Sequence, residues 1–345
     1  MTGRRRVLLL MGGRSSEHEV SLSSARGVRA ALDPERNDAL VVLISTRGDW
    51  TLDGEPVALA PGEDGRAVLV SLAGGPPRPV DVVFPVLHGP FGEDGTVQGL
   101  CEIAGVPYVG SGVAASAVAM DKAMFKAVMR DAGLPVAEEA VVTAAEWRRD
   151  PQGVAARVAA RPGFPAFCKP ARLGSSVGIS PVPDAASLAA ALDLAFAHDA
   201  KVLVERRVRG REVEVGVLGN GVDVVASPVG EITYDADWYD YDTKYLPDRM
   251  RLVVPADVPP AVAEQARDLA VRAFVAAGCA GMARVDFFLE GDRLLVSELN
   301  TIPGFTPTSV YASLFAADGI GYAEVVNRLV DLAVAEDAER SAYRH

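Results

Sequence analysis

Residues 282–300 have the sequence MARVDFFLEGDRLLVSELN. Apolar residues predominate on both sides of a Gly-Asp pair, and this pattern is typical of a β-hairpin whose strands are largely buried. We therefore predict strands at Met282–Leu289 and Leu294–Asn300 with a turn at Gly291. The charged residues inside these strands need partners, because a buried charge is costly when it is left alone.

The polar side chains of this hairpin are predicted to form one cluster. Alternate residues of a strand share a face, so Arg284 neighbours Asp286, and Glu298 neighbours Asn300. The turn places Asp286 opposite Ser297 or Glu298, and the sequence leaves both registers open. Carboxylate and amide oxygens suit Mg²⁺, whereas a guanidinium suits a phosphate or an oxyanion. The alternative is a solvated face with cross-strand salt bridges.

The composition of the chain limits its function. The chain has 345 residues, of which 49% are hydrophobic and 23% are charged, as in ordinary globular proteins of two or three domains. Its net charge of −12 argues against nucleic acid as the partner. Three distant cysteines without a CxxC pair favour a reducing, cytoplasmic setting over a zinc site or a disulfide framework. No apolar run approaches the ~18 residues of a membrane span, so no membrane association is expected.

The predicted elements divide the chain into three blocks. Residues 1–119 begin with a buried strand, a glycine turn and a helix, which indicates an α/β unit. Within this block, the Gly- and Pro-rich stretch 62–79 is expected to be a surface excursion. Residues 120–210 mix helices and strands, and residues 211–345 contain the hairpin. The aromatic stretch 234–251 has no periodicity, and a loop of this length is usually functional or disordered.

The middle block contains candidate phosphate ligands. Lys169 ends an apolar strand, and the loop 172–178 (RLGSSVG) includes Ser175 and Ser176. Backbone N–H groups and hydroxyls in such a loop commonly cover phosphates, although a hairpin turn is the simpler alternative. The loop has neither the Walker pattern nor the GxGxxG of dinucleotide-binding folds. Lys122 opens a helix and, by its position alone, is better explained as a solvated head group.

A charged connector between two predicted strands is a candidate nucleotide contact. Glu205 and Glu212 flank this connector, which covers residues 206–211 and includes Val208. Its exposed backbone groups can contact an adenine edge, while the carboxylates can accept hydrogen bonds from an amine or a ribose hydroxyl. By spacing alone, an ordinary connector without a ligand explains the pattern better.

Candidate substrate ligands lie near glycine-rich strand ends. Ligands of α/β sheets bind outside the carboxyl ends of the strands, so Glu17 is placed to hold a cationic amine. The substrate role of His88 rests only on the same location, since a single histidine is more often structural. The Gly304 N–H can approach a ligand closely, and Ser309 lies near a helix start where a carboxylate can bind. A plain turn and an N-cap are the simpler explanation for these last two residues.

An ordered set of motifs resembles the D-alanine–D-alanine ligases of the ATP-grasp superfamily. The set runs through all three blocks and consists of residues 12–21 (GGRSSEHEVS), 88–95 (HGPFGEDG), 120–122 (MDK), 169–170 (KP), 174–178 (GSSVG), 239–245 (YDYDTKY), 284–286 (RVD) and 298–306 (ELNTIPGFT). Each motif is weak alone, but the ordered set covers nearly the whole chain and is specific.

The resemblance implies an α/β (α+β) ATP-grasp fold with three domains. These are an N-terminal parallel-sheet domain at 1–119, a central ATP-grasp subdomain at 120–210 and a catalytic domain at 211–345 with a mobile loop at 234–251. The implied reaction joins two D-alanine molecules through an acylphosphate and yields ADP and phosphate, for peptidoglycan precursors. A cytoplasmic homodimer is also implied. The alternatives are ligases that use D-serine or D-lactate, or a ligase of secondary metabolism, and Lys244-Tyr245 counts against D-lactate.

The resemblance also implies roles for individual residues. The residues implied to hold ATP are Lys122, Lys169, Ser175, Ser176, Glu205, Val208, Glu212 and Lys244. Those implied to hold two Mg²⁺ (or Mn²⁺) ions are Asp286, Glu298 and Asn300. The implied substrate-binding residues are Glu17, His88, Lys244 and Ser309. The implied catalytic residues are Glu17, Ser175, Tyr245, Arg284 and Gly304, with Glu17 hydrogen-bonded to both Ser175 and Tyr245.

Overall fold

The computed structural model describes residues 3–63, 65–234 and 250–343. Most of the predicted loop 234–251, and with it Lys244 and Tyr245, therefore lies outside the described residues. The strands are β1 (Arg5–Gly12), β2 (Asn37–Ile44), β3 (Trp50–Leu52), β4 (Glu55–Pro61), β5 (Ala67–Ser71), β6 (Arg78–Pro79), β7 (Val82–Val86), β8 (Glu139–Thr143), β9 (Ala166–Pro170), β10 (Ser180–Val182), β11 (Lys201–Arg206), β12 (Arg211–Asn220), β13 (Asp223–Ala226), β14 (Gly230–Tyr234), β15 (Met250–Val253), β16 (Gly281–Glu290) and β17 (Arg293–Asn300). The helices are α1 (His18–Ala31), α2 (Thr96–Ala104), α3 (Val113–Met120), α4 (Lys122–Asp131), α5 (Ala144–Arg149), α6 (Pro151–Ala160), α7 (Leu188–Phe196), α8 (Pro260–Ala276), α9 (Val310–Ala316) and α10 (Tyr322–Ser341).

The first sheet has the strand order β6-β5-β4-β3-β2-β1-β7. Its centre is parallel, because β1 pairs in parallel with both β2 and β7, and α1 packs against β1. Strands β3 to β6 extend this centre in antiparallel fashion. The expectation that 62–79 is only a surface excursion is wrong, since this stretch contains β5. Ala67 and Leu69 on that strand are buried in the first sheet's core, which an exposed excursion would not achieve.

The second sheet has the order β10-β9-β11-β8, and all of its neighbouring strands are antiparallel. Helix α4 leads into this region and begins at Lys122 because the Asp121 side chain accepts hydrogen bonds from the N–H groups of Ala123 and Met124. The third sheet has the order β15-β14-β12-β16-β17, with β13 also paired to β12. Helix α8 packs against β12, β16 and β17 on this third sheet.

The first and third sheets share a hydrophobic core. Val7 and Phe84 of the first sheet belong to the same buried cluster as Met282, Phe305 and Leu329. The three sheets fall within residues 5–86, 139–206 and 211–300. The division of the chain into domains at 119/120 and 210/211 stays a prediction.

Two further observations concern the buried residues and the helices. Cys101, Cys168 and Cys279 are free and buried, and burial raises the pKa of each thiol to about 12. Within 3–63, 65–234 and 250–343, no helix is long and apolar enough to cross a membrane.

Candidate active site

The predicted hairpin is present as strands β16 and β17. Asp286 pairs with Glu298, and Arg284 pairs with Asn300, so all four side chains lie on one face. A bulge after Asp286 makes Phe287 pair with Val296, which leaves Ser297 as the extra residue. This bulge decides between the two registers that the sequence left open, in favour of Glu298.

The polar cluster on this face is tightly connected. The Arg284 guanidinium donates two hydrogen bonds of 2.7 Å to the Asp286 carboxylate, and its Nε lies 3.1 Å from Oε2 of Glu214. The Asn300 amide donates to Asp286 at 3.0 Å. Burial opposes the charge on Arg284, but the carboxylates of Asp286 and Glu214 hold its pKa well above the usual value. Arg284 is therefore a permanent cation within the cluster.

The donor set of the hairpin fits a magnesium ion. Asp286, Glu298 and Asn300 present two carboxylates and an amide on one face, and Mg²⁺ is usually held by one or two carboxylates together with substrate phosphates. No cluster of three or more His, Cys, Asp or Glu side chains suited to a metal occurs in the described ranges.

Two lysines converge on a buried carboxylate next to the second sheet. Lys169 Nζ donates to Glu205 Oε1 at 2.5 Å, and Lys126 Nζ lies 2.5 Å from Glu205 Oε2. The Glu205 side chain is only 3% exposed. Burial alone would raise the pKa of Glu205, but the two ammonium groups outweigh it and lower this pKa to about 2. Glu205 thus carries its charge in the folded protein.

Lys126 is a site residue that the sequence analysis missed. It follows Lys122 by one turn of α4, so both lysines lie on the same side of that helix. The four-residue spacing between Lys122 and Lys126 was the sequence signal that could have identified Lys126. Lys122 itself is only 14% exposed and is not a solvated head group. Its Nζ donates to the Leu173 carbonyl at 2.6 Å and lies 3.9 Å from Glu298 Oε2, so it links the 172–178 loop to the hairpin.

The glycine- and serine-rich loop adopts an uncommon backbone conformation. Ser175 and Ser176 have φ values of +52° and +59°, in the left-handed region that non-glycine residues rarely occupy. Such strain persists only where the surroundings impose it, and it is often found at functional sites. The Ser175 hydroxyl donates a hydrogen bond of 2.7 Å to Glu17 Oε1. The hydrogen bond between Glu17 and Ser175 that the family resemblance implied is therefore present in the structure.

The region of His88 contacts the backbone that follows the hairpin. His88 is buried, and burial lowers its pKa despite the nearby charge of Glu17. Its Nδ1 lies 3.1 Å from the Ile302 carbonyl. Glu93 accepts hydrogen bonds from the N–H groups of Gly89 (2.6 Å) and Ile302 (3.2 Å). Burial raises the pKa of Glu93 to about 8, and Glu17 adds to that effect. The sequence had shown Glu93 only as one residue of the 88–95 motif.

The remaining candidates lie on three separate elements. Glu212 is on β12, opposite Phe288, and its charge contributes to the raised pKa of Lys169. Val208 is half-buried in the connector between β11 and β12. Ser309 precedes α9, but its hydroxyl donates back to the Thr306 carbonyl at 2.8 Å and makes no side-chain cap. A Cβ on Gly304 would meet nothing closer than Ser309 at 3.9 Å, so packing alone does not require glycine there.

The chain matches proteins of known family over most of its length. Family models described as D-ala D-ala ligase N-terminus and D-ala D-ala ligase C-terminus match residues 6–111 and 128–331. A D-alanine–D-alanine ligase of Deinococcus radiodurans is 52% identical over 341 residues, which cover 96% of this chain and 99% of that protein.

Solved structures show the same relationship. The D-alanine–D-alanine ligase of Coxiella burnetii aligns with a TM-score of 0.87 at 34% identity, covering 98% of this chain and 96% of that one. A D-Ala:D-Ser ligase from Enterococcus faecalis aligns with a TM-score of 0.86 at 31% identity, covering 96% of this chain and 100% of that one. The predicted ATP-grasp fold class is thereby confirmed, and the chain belongs to the D-alanine–D-alanine ligase family.

Proposed function

We propose that the chain joins two D-alanine molecules into D-alanyl-D-alanine, with cleavage of ATP to ADP and phosphate, as a step towards peptidoglycan. Its place in the ligase family supports this activity. One observation supports the site: the Ser175 hydroxyl bonds to Glu17 and brings the 172–178 loop over the carboxylate that would hold the first substrate's ammonium group. A loop with backbone N–H groups would then lie beside both the substrate and the nucleotide.

The first step would transfer a phosphoryl group. The carboxylate of the first D-alanine attacks the γ-phosphorus of ATP, so two anions must approach each other. Lys122 and Lys169 would offset this repulsion, while Lys126 compensates the charge of Glu205. Asp286, Glu298 and Asn300 would hold Mg²⁺ ions, which supply further positive charge against the phosphates. Ser176, Glu205, Val208 and Glu212 would contact the nucleotide, as would Lys244, which lies outside the described residues.

The second step would form the peptide bond. The amine of the second D-alanine attacks the acylphosphate carbonyl, and phosphate leaves as the tetrahedral intermediate collapses. Arg284 and the Gly304 N–H would donate hydrogen bonds to the oxyanion, and stabilisation of this kind often contributes more to catalysis than any other single effect. The carboxylate of the second D-alanine would bind near Ser309, and His88, whose two ring nitrogens contact Ile302 and Ser24, would border the substrate site.

The second substrate is the finer part of the proposal. The chain aligns almost equally well with a D-Ala:D-Ala ligase and with a D-Ala:D-Ser ligase, so the fold does not distinguish the two acceptors. Lys244 and Tyr245 favour D-alanine over D-lactate in the family pattern, and that inference stays a prediction. A cytoplasmic homodimer is likewise proposed from the family resemblance.

Phosphate release from ATP in the presence of Mg²⁺ tests the proposal. We expect release with D-alanine alone, and mass spectrometry should identify the dipeptide as the product. D-serine, D-lactate and L-alanine are then added separately as competing acceptors. Release that requires one of these acceptors would reassign the second substrate and keep the first step. An absence of release with every pairing would contradict the proposed activity.

A further inference from the structure

The backbone of residues 302–305 carries Gly304 and is held at its first end by two side chains from the N-terminal block. Glu93 accepts a hydrogen bond of 3.2 Å from the Ile302 N–H. His88 Nδ1 lies 3.1 Å from the carbonyl oxygen of Ile302. Both polar groups of Ile302 therefore have partners that lie more than two hundred residues earlier, at separations of 209 and 214 residues.

The other end of this segment is held by a serine. Ser24 on α1 accepts a hydrogen bond of 3.3 Å from the Phe305 N–H. The Ser24 hydroxyl also lies 3.2 Å from His88 Nε2. Tyr322 on α10 donates to the Phe305 carbonyl at 2.8 Å. Ser24 therefore connects the Phe305 end to the same histidine that holds the Ile302 end.

The directions of these hydrogen bonds follow from the groups involved. A carbonyl oxygen can only accept, so His88 Nδ1 carries the proton and donates to Ile302. Burial favours the neutral imidazole, and its Nε2 is then an acceptor for the Ser24 hydroxyl. The oxygen of Ser24 retains lone pairs and accepts from the Phe305 N–H. Each donor in this chain of three hydrogen bonds thus has one acceptor.

We propose that Ser24 is a positioning residue that fixes the Gly304 N–H towards the reacting centre. Through His88 it links the two ends of the 302–305 segment, so the peptide between them cannot rotate without breaking a buried hydrogen bond. Ser24 is fully buried and acts through Gly304 rather than on the substrate. The inference rests on the proposed function, in which this N–H donates to the oxyanion.

A matched set of variants separates positioning from general packing. Ser24→Ala removes the hydroxyl, and Ser24→Cys restores a group of similar size that donates and accepts weakly. Ser116→Ala is the control, because Ser116 is equally buried in α3 and its hydroxyl donates to the Ser111 carbonyl, away from the 302–305 segment. The control therefore removes a buried hydroxyl without touching the proposed hydrogen-bonded link.

The kinetic readout is the division of the effect between kcat and KM. We expect Ser24→Ala to lower kcat about ten- to a hundredfold with the KM for ATP unchanged, since the lost interaction acts in the transition state. Ser24→Cys should recover part of this loss, and Ser116→Ala should keep the original kcat. A Ser24→Ala protein with unchanged kcat, or with losses that Ser116→Ala reproduces, would overturn the positioning role.

Amide hydrogen exchange tests the same inference without substrate. Exchange in a peptide that covers residues 301–306 should be faster in Ser24→Ala than in the original protein or in Ser116→Ala. Unchanged exchange would overturn the proposal regardless of activity. If the original protein releases no phosphate while exchange still accelerates, the hydrogen-bonded arrangement is supported and the proposed function alone fails. If Ser24→Ala does not fold, Ser24→Cys supplies both readouts.

Discussion

The Ser175 hydroxyl donates a hydrogen bond of 2.7 Å to Glu17, which lies 158 residues earlier in the chain. This contact ties the 172–178 loop of the middle block to the start of α1 in the first block. Ser175 itself lies in the left-handed backbone region, where φ is +52°. Loop position and substrate-site electrostatics therefore depend on the same pair of side chains.

Removal of the Ser175 hydroxyl should impair the use of D-alanine. A hydrogen bond to a charged group contributes about 1.5–3 kcal/mol, so Ser175→Ala should lower kcat/KM for D-alanine about ten- to a hundredfold. Ser176→Ala is the control, because its backbone is in the same region at φ +59°. It should change the KM for ATP and leave that for D-alanine unaltered. Steady-state kinetics with each substrate varied in turn would measure these parameters. An equal loss of kcat/KM for D-alanine in Ser175→Ala and Ser176→Ala would contradict a specific role for Ser175.

Replacement of one hairpin carboxylate should weaken metal binding. Glu298→Gln keeps the shape of the side chain but loses its charge, so we expect Mg²⁺ to bind less tightly and turnover to fall at least about a hundredfold. Phosphate release measured against Mg²⁺ concentration gives both quantities. Asp292→Asn, an exposed position in the turn of the same hairpin, should behave like the original protein. Full activity of Glu298→Gln would rule out its role as a metal ligand.

The buried Lys126 should be needed for stability, because it compensates the charge of Glu205. Lys126→Met leaves Glu205 with a single cationic partner in a buried place, and loss of one member of a buried pair costs about 3 kcal/mol. We expect the free energy of unfolding, measured in urea, to fall by about this amount. The double variant Lys126→Met/Glu205→Gln should recover part of the loss. A double variant less stable than the single one would show that charge compensation is not the cause.

The depressed pKa of Glu205 predicts a specific acid dependence. Its pKa is about 2 in the folded protein, below the usual value of about 4.3 expected in the unfolded chain. The stabilisation is therefore present above about pH 4.3 and is lost as the pH falls towards 2, by up to ~1.4 kcal/mol per pH unit. Unfolding free energies near pH 5 and pH 3 measure it. In Glu205→Gln, the loss of unfolding free energy between pH 5 and pH 3 should be smaller by this amount. A loss identical to that of the original protein would contradict its attribution to Glu205.

Local patterns were enough to predict the centre of the site. The alternation around Arg284 and Asp286 predicted the hairpin, its turn and the shared polar face, because side-chain direction in a strand follows from sequence alone. The sequence left the register open by one residue, since the bulge at Ser297 depends on pairing that no local pattern contains. The Asp121 cap of α4 is likewise a local feature, because an N-cap side chain bonds to the backbone N–H groups that directly follow it.

The contacts between distant parts of the chain required the folded structure. Lys126 was overlooked because a lysine on an amphipathic helix is normally solvated, and only tertiary packing places it against Glu205. Ser24 was overlooked because a serine inside a helix has no local signature. The buried strand β5 was missed because the glycines and prolines around it dominate the pattern of residues 62–79. In each case the deciding partner lies far away in sequence.

The burial of the cysteines has a practical consequence for experiments on this protein. Cys101, Cys168 and Cys279 are its only thiols, and with pKa values of about 12 they stay protonated near neutral pH, in the form that reacts poorly with electrophiles. A cysteine placed at Met124, which is 50% exposed on α4, would then react selectively with a maleimide dye. Fluorescence from that single label could follow nucleotide binding in a chain that keeps all of its native cysteines.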